Sequence, residues 1–77
     1  MPITNQDIAR LEAYLHTTFG NDSISLRQRP KANDSVEVLL NGEFIGIVYK
    51  DDEDSNDISF DFNMAILEED LPKVAAS

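Results

Sequence analysis

The stretch Val36 to Tyr49 reads Val-Glu-Val-Leu-Leu-Asn-Gly-Glu-Phe-Ile-Gly-Ile-Val-Tyr. Two β-rich runs flank Asn41-Gly42, a dipeptide that accepts the positive φ a two-residue type I′ hairpin demands. Such a turn fixes a register. It sets Leu40 opposite Glu43, Val38 opposite Ile45 and Val36 opposite Ile47, and opposite residues share a face. One face then carries Val36, Val38, Leu40, Ile45, Ile47 and Tyr49, and is expected to be the core. The other carries Ser35, Glu37, Leu39, Phe44, Gly46, Val48 and Lys50. Water would favour a polar second face, yet Leu39, Phe44 and Val48 lie on it. Scattered surface apolar residues are ordinary; the alternative is a patch that meets another surface.

The segment before the hairpin carries helix signals. Thr4 is a candidate N-cap, and Asp7 at N3 can return a bond to its amide. Ile3 and Ile8 occupy the staple positions. Ile8, Leu11, Leu15 and Phe19 recur on one stripe, and Gly20 follows at the helix exit. These features predict a helix over about residues 5–18. Ile24 to Arg29 alternates and predicts a strand over 24–29, with Pro30 to Asp34 as the next turn. If Leu26 lies opposite Val38, then Arg27 lies opposite Glu37. The hairpin supplies strands over 35–40 and 43–50. Ile58 to Ile66 also alternates, predicting a last strand over about 57–67 with Ile58, Phe60, Phe62, Met64 and Ile66 inward and Tyr49 opposite Ile58. Residues 64–71 also fit a short helix through Met64, Leu67 and Leu71. Residues 72–77 read as a frayed tail.

The expected architecture is therefore α+β within a single domain, residues 1–77: one N-terminal helix on a four-stranded antiparallel meander. One helix covers one sheet face. A chain of 77 residues buries only about 60% of its unfolded surface, and it has no cysteine to form a disulfide or thiolate metal site. Oligomerisation is the remaining common source of stability. A homodimer through the outer sheet face or an edge strand follows, with Leu39, Phe44, Gly46 and Val48 as interface candidates; Gly46 permits close approach of another surface.

The net charge of −9 is unevenly placed. Residues 1–33 carry Arg10, Arg27, Arg29 and Lys31 against Asp7, Glu12 and Asp22. Residues 34–77 carry Lys50 and Lys73 against twelve carboxylates. That field repels phosphate backbones and anionic bilayers, so neither nucleic acid nor a membrane is an expected partner, whereas a basic protein is allowed. The start resembles no signal peptide and no apolar run approaches about 18 residues, which predicts a soluble, cytoplasmic setting.

Chemistry-bearing residues are sparse. His16 is the only histidine. It follows Glu12 by four residues, and no second catalytic group stands beside it, so a helix-surface role outweighs proton transfer. Arg27, Arg29 and Lys31 can bind an anion, although such residues more often balance nearby acids. Asp52, Asp54 and Asn56 match the opening of a calcium loop. The match then fails: Asp57 stands where glycine is needed, Asn63 where the bidentate glutamate belongs, and strands flank it. A solvated acidic loop is the plainer reading, and weak divalent-cation binding the alternative. No nucleophile–base pair, phosphate loop or cofactor motif is visible, so neither an enzyme nor a cofactor is expected.

The run Ile8-Ala9-Arg10-Leu11-Glu12-Ala13-Tyr14-Leu15, the exit Phe19-Gly20-Asn21, the turn Glu43-Phe44-Ile45-Gly46 and the segment Phe62-Asn63-Met64-Ala65-Ile66-Leu67 together resemble a small alphaproteobacterial family of unknown function. The resemblance spans about residues 5–71 and implies a short cytoplasmic bacterial protein. It carries no active-site residue. The function expected is a non-catalytic, acidic interaction module acting as a homodimer. An acidic chaperone or inhibitor of a basic partner is the alternative, by analogy of charge and architecture.

Overall fold

Thr4 opens the helix as its chemistry dictates. Its hydroxyl accepts the Asp7 amide at 3.0 Å, and the Asp7 carboxylate accepts the Thr4 amide at 3.1 Å. Gly20 closes the helix in the left-handed region at φ 60°, which glycine adopts without cost. The computed structural model describes residues 2–74, and the helix, α1, spans Asn5–Phe19. Strands follow at Ile24–Arg29 (β1), Ala32–Leu40 (β2), Glu43–Asp51 (β3) and Ser59–Asn63 (β4), then a 3₁₀ turn at Glu68–Asp70. All neighbours are antiparallel in the order β1-β2-β3-β4, so the fold is α+β with a meander sheet. Among the described residues no helix is long and apolar enough to cross a membrane. Of the tail expected over 72–77, residues 75–77 lie outside the described residues.

Asn41 and Gly42 both have positive φ, at 54° and 83°, as the type I′ turn requires. Leu40 faces Glu43 and Leu39 faces Phe44, but Val38 then faces Gly46. Ile45 is the extra residue of a β-bulge. From there the expected register is displaced by one: Val36 faces Val48 and Ser35 faces Tyr49. One step in a period-two pattern exchanges the faces. Val48, Gly46 and Lys50 turn toward the helix, whereas Ile47 and Tyr49 turn outward. Ile45, as the bulged residue, still packs against the core.

The core comprises Ile3, Leu15, Ile24, Val36, Val38 and Val48, with Ile8, Leu11, Leu26, Leu40, Phe60 and Phe62 packed around it. Val38 is fully enclosed. The β1–β2 register matches the expectation, with Leu26 opposite Val38 and Arg27 opposite Glu37. It breaks after Gln28, which faces Val36, because Arg29 already faces Ala32. The turn therefore tightens to Pro30 and Lys31, and β2 begins earlier than the expected residue 35. The loosened segment leaves the Asn33 carbonyl free to accept the Ile3 amide at 2.7 Å.

β4 is shorter than expected and pairs elsewhere. Tyr49 faces Asp61, not Ile58, and the strand ends at Asn63 opposite Ile47. Phe60 and Phe62 still reach the core side, because this register differs by an odd step that cancels the one at Ile45. Ile58, Met64, Ile66 and Leu67, by contrast, are exposed. The early end has a local cause at Gly46. A Cβ there would fall 2.5 Å from the Asn63 carbonyl oxygen and 2.6 Å from the Phe62 ring. The close approach that glycine permits is thus made by the chain's own β4 on the helix side, not by a second surface outside.

The register also brings Lys50 inward. Its ammonium meets the Asp7 carboxylate at 3.0 Å and the Pro2 carbonyl at 3.4 Å, over the Phe60 ring, with only 8% of the side chain exposed. The Thr4 amide first, and Lys50 next, hold the Asp7 carboxyl below its usual pKa.

Gly46→Ala should lower stability by about 1–3 kcal/mol, read from the urea midpoint, because the backbone carbonyl of Asn63 cannot swing aside as a side chain would. Lys50→Ala should cost about 3 kcal/mol, and Lys50→Met clearly less, since methionine refills the space. Asp7 is bound more tightly as the anion in the folded state, so its contribution is full above its unfolded pKa and fades as pH falls below about 4. Acid titration of Asp7→Asn should accordingly show a shallower loss of stability below that pH than the parent chain.

Candidate interaction surface

The helix runs antiparallel to β1 and covers that edge of the sheet. In β1, alternation turns the backbone groups of Ile24 and Leu26 away from β2. The Leu26 amide donates to the Glu12 carboxylate at 3.0 Å, and His16 Nε2–H donates to the Ile24 carbonyl. The Gln28 amide nitrogen reaches Asn5 Oδ1 at 3.1 Å. Glu12 and His16, four residues apart along the helix, both bind the strand. His16 therefore carries its proton on Nε2, and Nδ1 faces Asp22 at 4.0 Å.

Among the described residues no layer covers the opposite face of the sheet. On it lie Leu39, Phe44, Ile47 and Tyr49, with Ser25, Arg27, Glu37, Asp61 and Asn63 around them, as the register dictates. Leu39 is buried among its neighbours although it stands outside the core cluster; Phe44 and Tyr49 remain 54% and 39% exposed. Of the four expected interface residues, Leu39 and Phe44 lie on this face, whereas Gly46 and Val48 lie on the helix side. Ile47 and Tyr49 take their places. The signal that could have found them is Gly46 itself, since an isolated glycine within a strand pattern marks a bulge.

Arg27 binds Glu37 at 2.7 Å, an exposed pair worth a few tenths of a kcal/mol. Arg29 donates to the Ser35 hydroxyl at 2.9 Å. Two members of the expected basic cluster are thus engaged on the outer face, and Lys31 stands on the turn beside them. In the acidic loop, carboxylates cap local backbone. Asp54 accepts the Asn56 amide at 3.0 Å and Asp51 accepts that of Glu53 at 3.3 Å. Asp52, Asp54 and Asn56 belong to this run of turns, and among the described residues no three carboxylates or imidazoles converge as a ligand group.

Two clefts open beside β3 and β4. One, of about 490 Å³, lies between the helix and β4 and is lined by Asp7, Arg10, Leu11, Tyr14 and Phe60. The other, of about 710 Å³, lies between the first half of β3 and the segment after Asn63.

Residues 7–70 match the family described as Protein of unknown function (DUF3126). The chain belongs to that family. No curated protein and no solved structure matches it. What this DUF3126 domain does must therefore be argued from its own surfaces.

Glu12→Ala would leave the Leu26 amide without its acceptor. Hydrogen exchange at Leu26 should accelerate selectively, with a stability loss of about 1 kcal/mol. Unchanged exchange at Leu26 would show that the helix does not cap this edge.

Proposed function

We propose that this DUF3126 domain is a non-catalytic interaction module that works as a homodimer through the outer face of its sheet, in the cytoplasm of an alphaproteobacterium. The observation that carries the reading is the uncovered strip of Phe44, Ile47 and Tyr49 around Leu39. Exposure supports it: Phe44 is 54% and Tyr49 39% exposed on that face. The charges on the outer face are also close to balanced. Arg27 and Arg29 stand there against Glu37, Asp51 and Asp61, so two copies can approach without the repulsion that the chain's net −9 would otherwise impose.

A second reading, an acidic chaperone or inhibitor of a basic protein, is favoured by the carboxylates crowding the chain from Asp51 onward. It uses the same uncovered surfaces and requires no catalytic residue.

Light scattering across a concentration series tests the homodimer, and co-purification with a basic partner tests the second reading. The parent chain should show twice its monomer mass. Phe44→Asp and Tyr49→Asp should each give a folded monomer, its urea midpoint lowered only by the lost association, whereas Val48→Asp, in the core, should unfold. A parent chain that stays monomeric at every concentration would remove the homodimer.

A further inference from the structure

Beyond the outer face, the structure leaves a length of sheet edge unpaired. β4 stops opposite Ile47, so β3 from Glu43 to Gly46 has β2 on one side and, among the described residues, no strand on the other. Leu40 and Glu43 close the hairpin and bond to each other. Alternation then turns the Phe44 amide and carbonyl toward the vacant side. Among the described residues, no backbone hydrogen bond from residues 64–67 reaches them. The cleft of about 710 Å³ lies along this edge, with Phe44, Ile47, Met64 and Leu67 as its apolar walls. Both charged residues that line it, Glu43 and Asp70, are carboxylates, and Glu68 and Glu69 precede Asp70 in the adjoining turn.

We propose that this edge is a docking site for an extended, basic segment of a partner protein, added as a short strand beside Phe44. The backbone supplies the pairing, the apolar walls take alternate side chains, and the carboxylates select lysine or arginine between them. Charge decides the occupant. A second copy would bring its own Glu68, Glu69 and Asp70 against Glu43 and Asp70, and like charges at close range oppose that pairing. The site shares Phe44 and Ile47 with the outer face but not Tyr49, so a substitution at Tyr49 tests the two surfaces apart.

The test is a titration of the full ¹⁵N-labelled chain, followed by amide shifts, with a capped octapeptide alternating valine and lysine. A valine–glutamate peptide and a valine–lysine peptide N-methylated at alternate residues serve as controls. The expected result is saturable shifts confined to residues 43–47 and 63–70, absent with the glutamate peptide and lost on N-methylation. The double variant Glu43→Lys, Asp70→Lys should bind about tenfold more weakly, and Tyr49→Asp should bind at least as tightly as the parent, because it lacks the competing self-association. Shifts centred on residues 51–57, equal binding of the N-methylated peptide, or no saturable response would each overturn the proposal. None of these outcomes bears on the mass measured for the chain alone, so the homodimer stands or falls separately.

Discussion

One extra residue in β3, Ile45, determines what each side of the sheet contains. Before it, Leu39 and Phe44 face outward; after it, Val48 and Lys50 face the helix where the uninterrupted alternation would have placed Ile47 and Tyr49. The core gains a small β-branched side chain and an ammonium group. The outer face gains an isoleucine and a tyrosine. Gly46 is part of the same device, because it sits where the bulge returns to the regular ladder and where β4 crosses closest. The ion pair of Lys50 with Asp7 is a downstream result: a lysine can lie at 8% exposure here because the helix cap presents a carboxylate at the same height.

Most of the architecture was legible in the residues because its signals are local. Thr4, Asp7 and Gly20 mark the helix through hydrogen-bonding capacity and permitted φ. Asn41-Gly42 marks the turn in the same way, and the alternation of Ile24 to Arg29 placed Leu26 against Val38 and Arg27 against Glu37. Two features were not legible. The only mark of the bulge is the isolated Gly46, which equally fits close approach of another surface, so alternation read straight through it inverts the faces of Gly46, Ile47, Val48, Tyr49 and Lys50. The end of β4 depends on how closely Phe62 and Asn63 approach Gly46, a contact between segments far apart in the chain. Alternation through Met64 and Ile66 therefore predicted a strand that the fold does not pair.

The two edges of the sheet are managed by different means. At β1 the helix lends side chains to the outward backbone groups, and Glu12 and His16 do the work that a fifth strand would otherwise do. At β4 the strand is short and bears Asp61 at its centre, a common way of discouraging association. Between these protected borders, the first half of β3 is left with an uncovered rim and apolar walls. The surface available to other molecules thus follows from where the chain places its own caps.

Every strand in the sheet pairs with its neighbour in sequence, so the meander is assembled from short loop closures, a topology associated with rapid folding. The helix is different in kind. Its bonds to β1 span 8, 14 and 23 residues, whereas the Asp7–Lys50 contact spans 43. The ion pair is therefore the clasp that joins the first turn of the helix to the third strand. Of these contacts it closes the longest loop, so ordering it carries the largest loop-closure entropy, and it ties the start of the chain to the far half of the sheet.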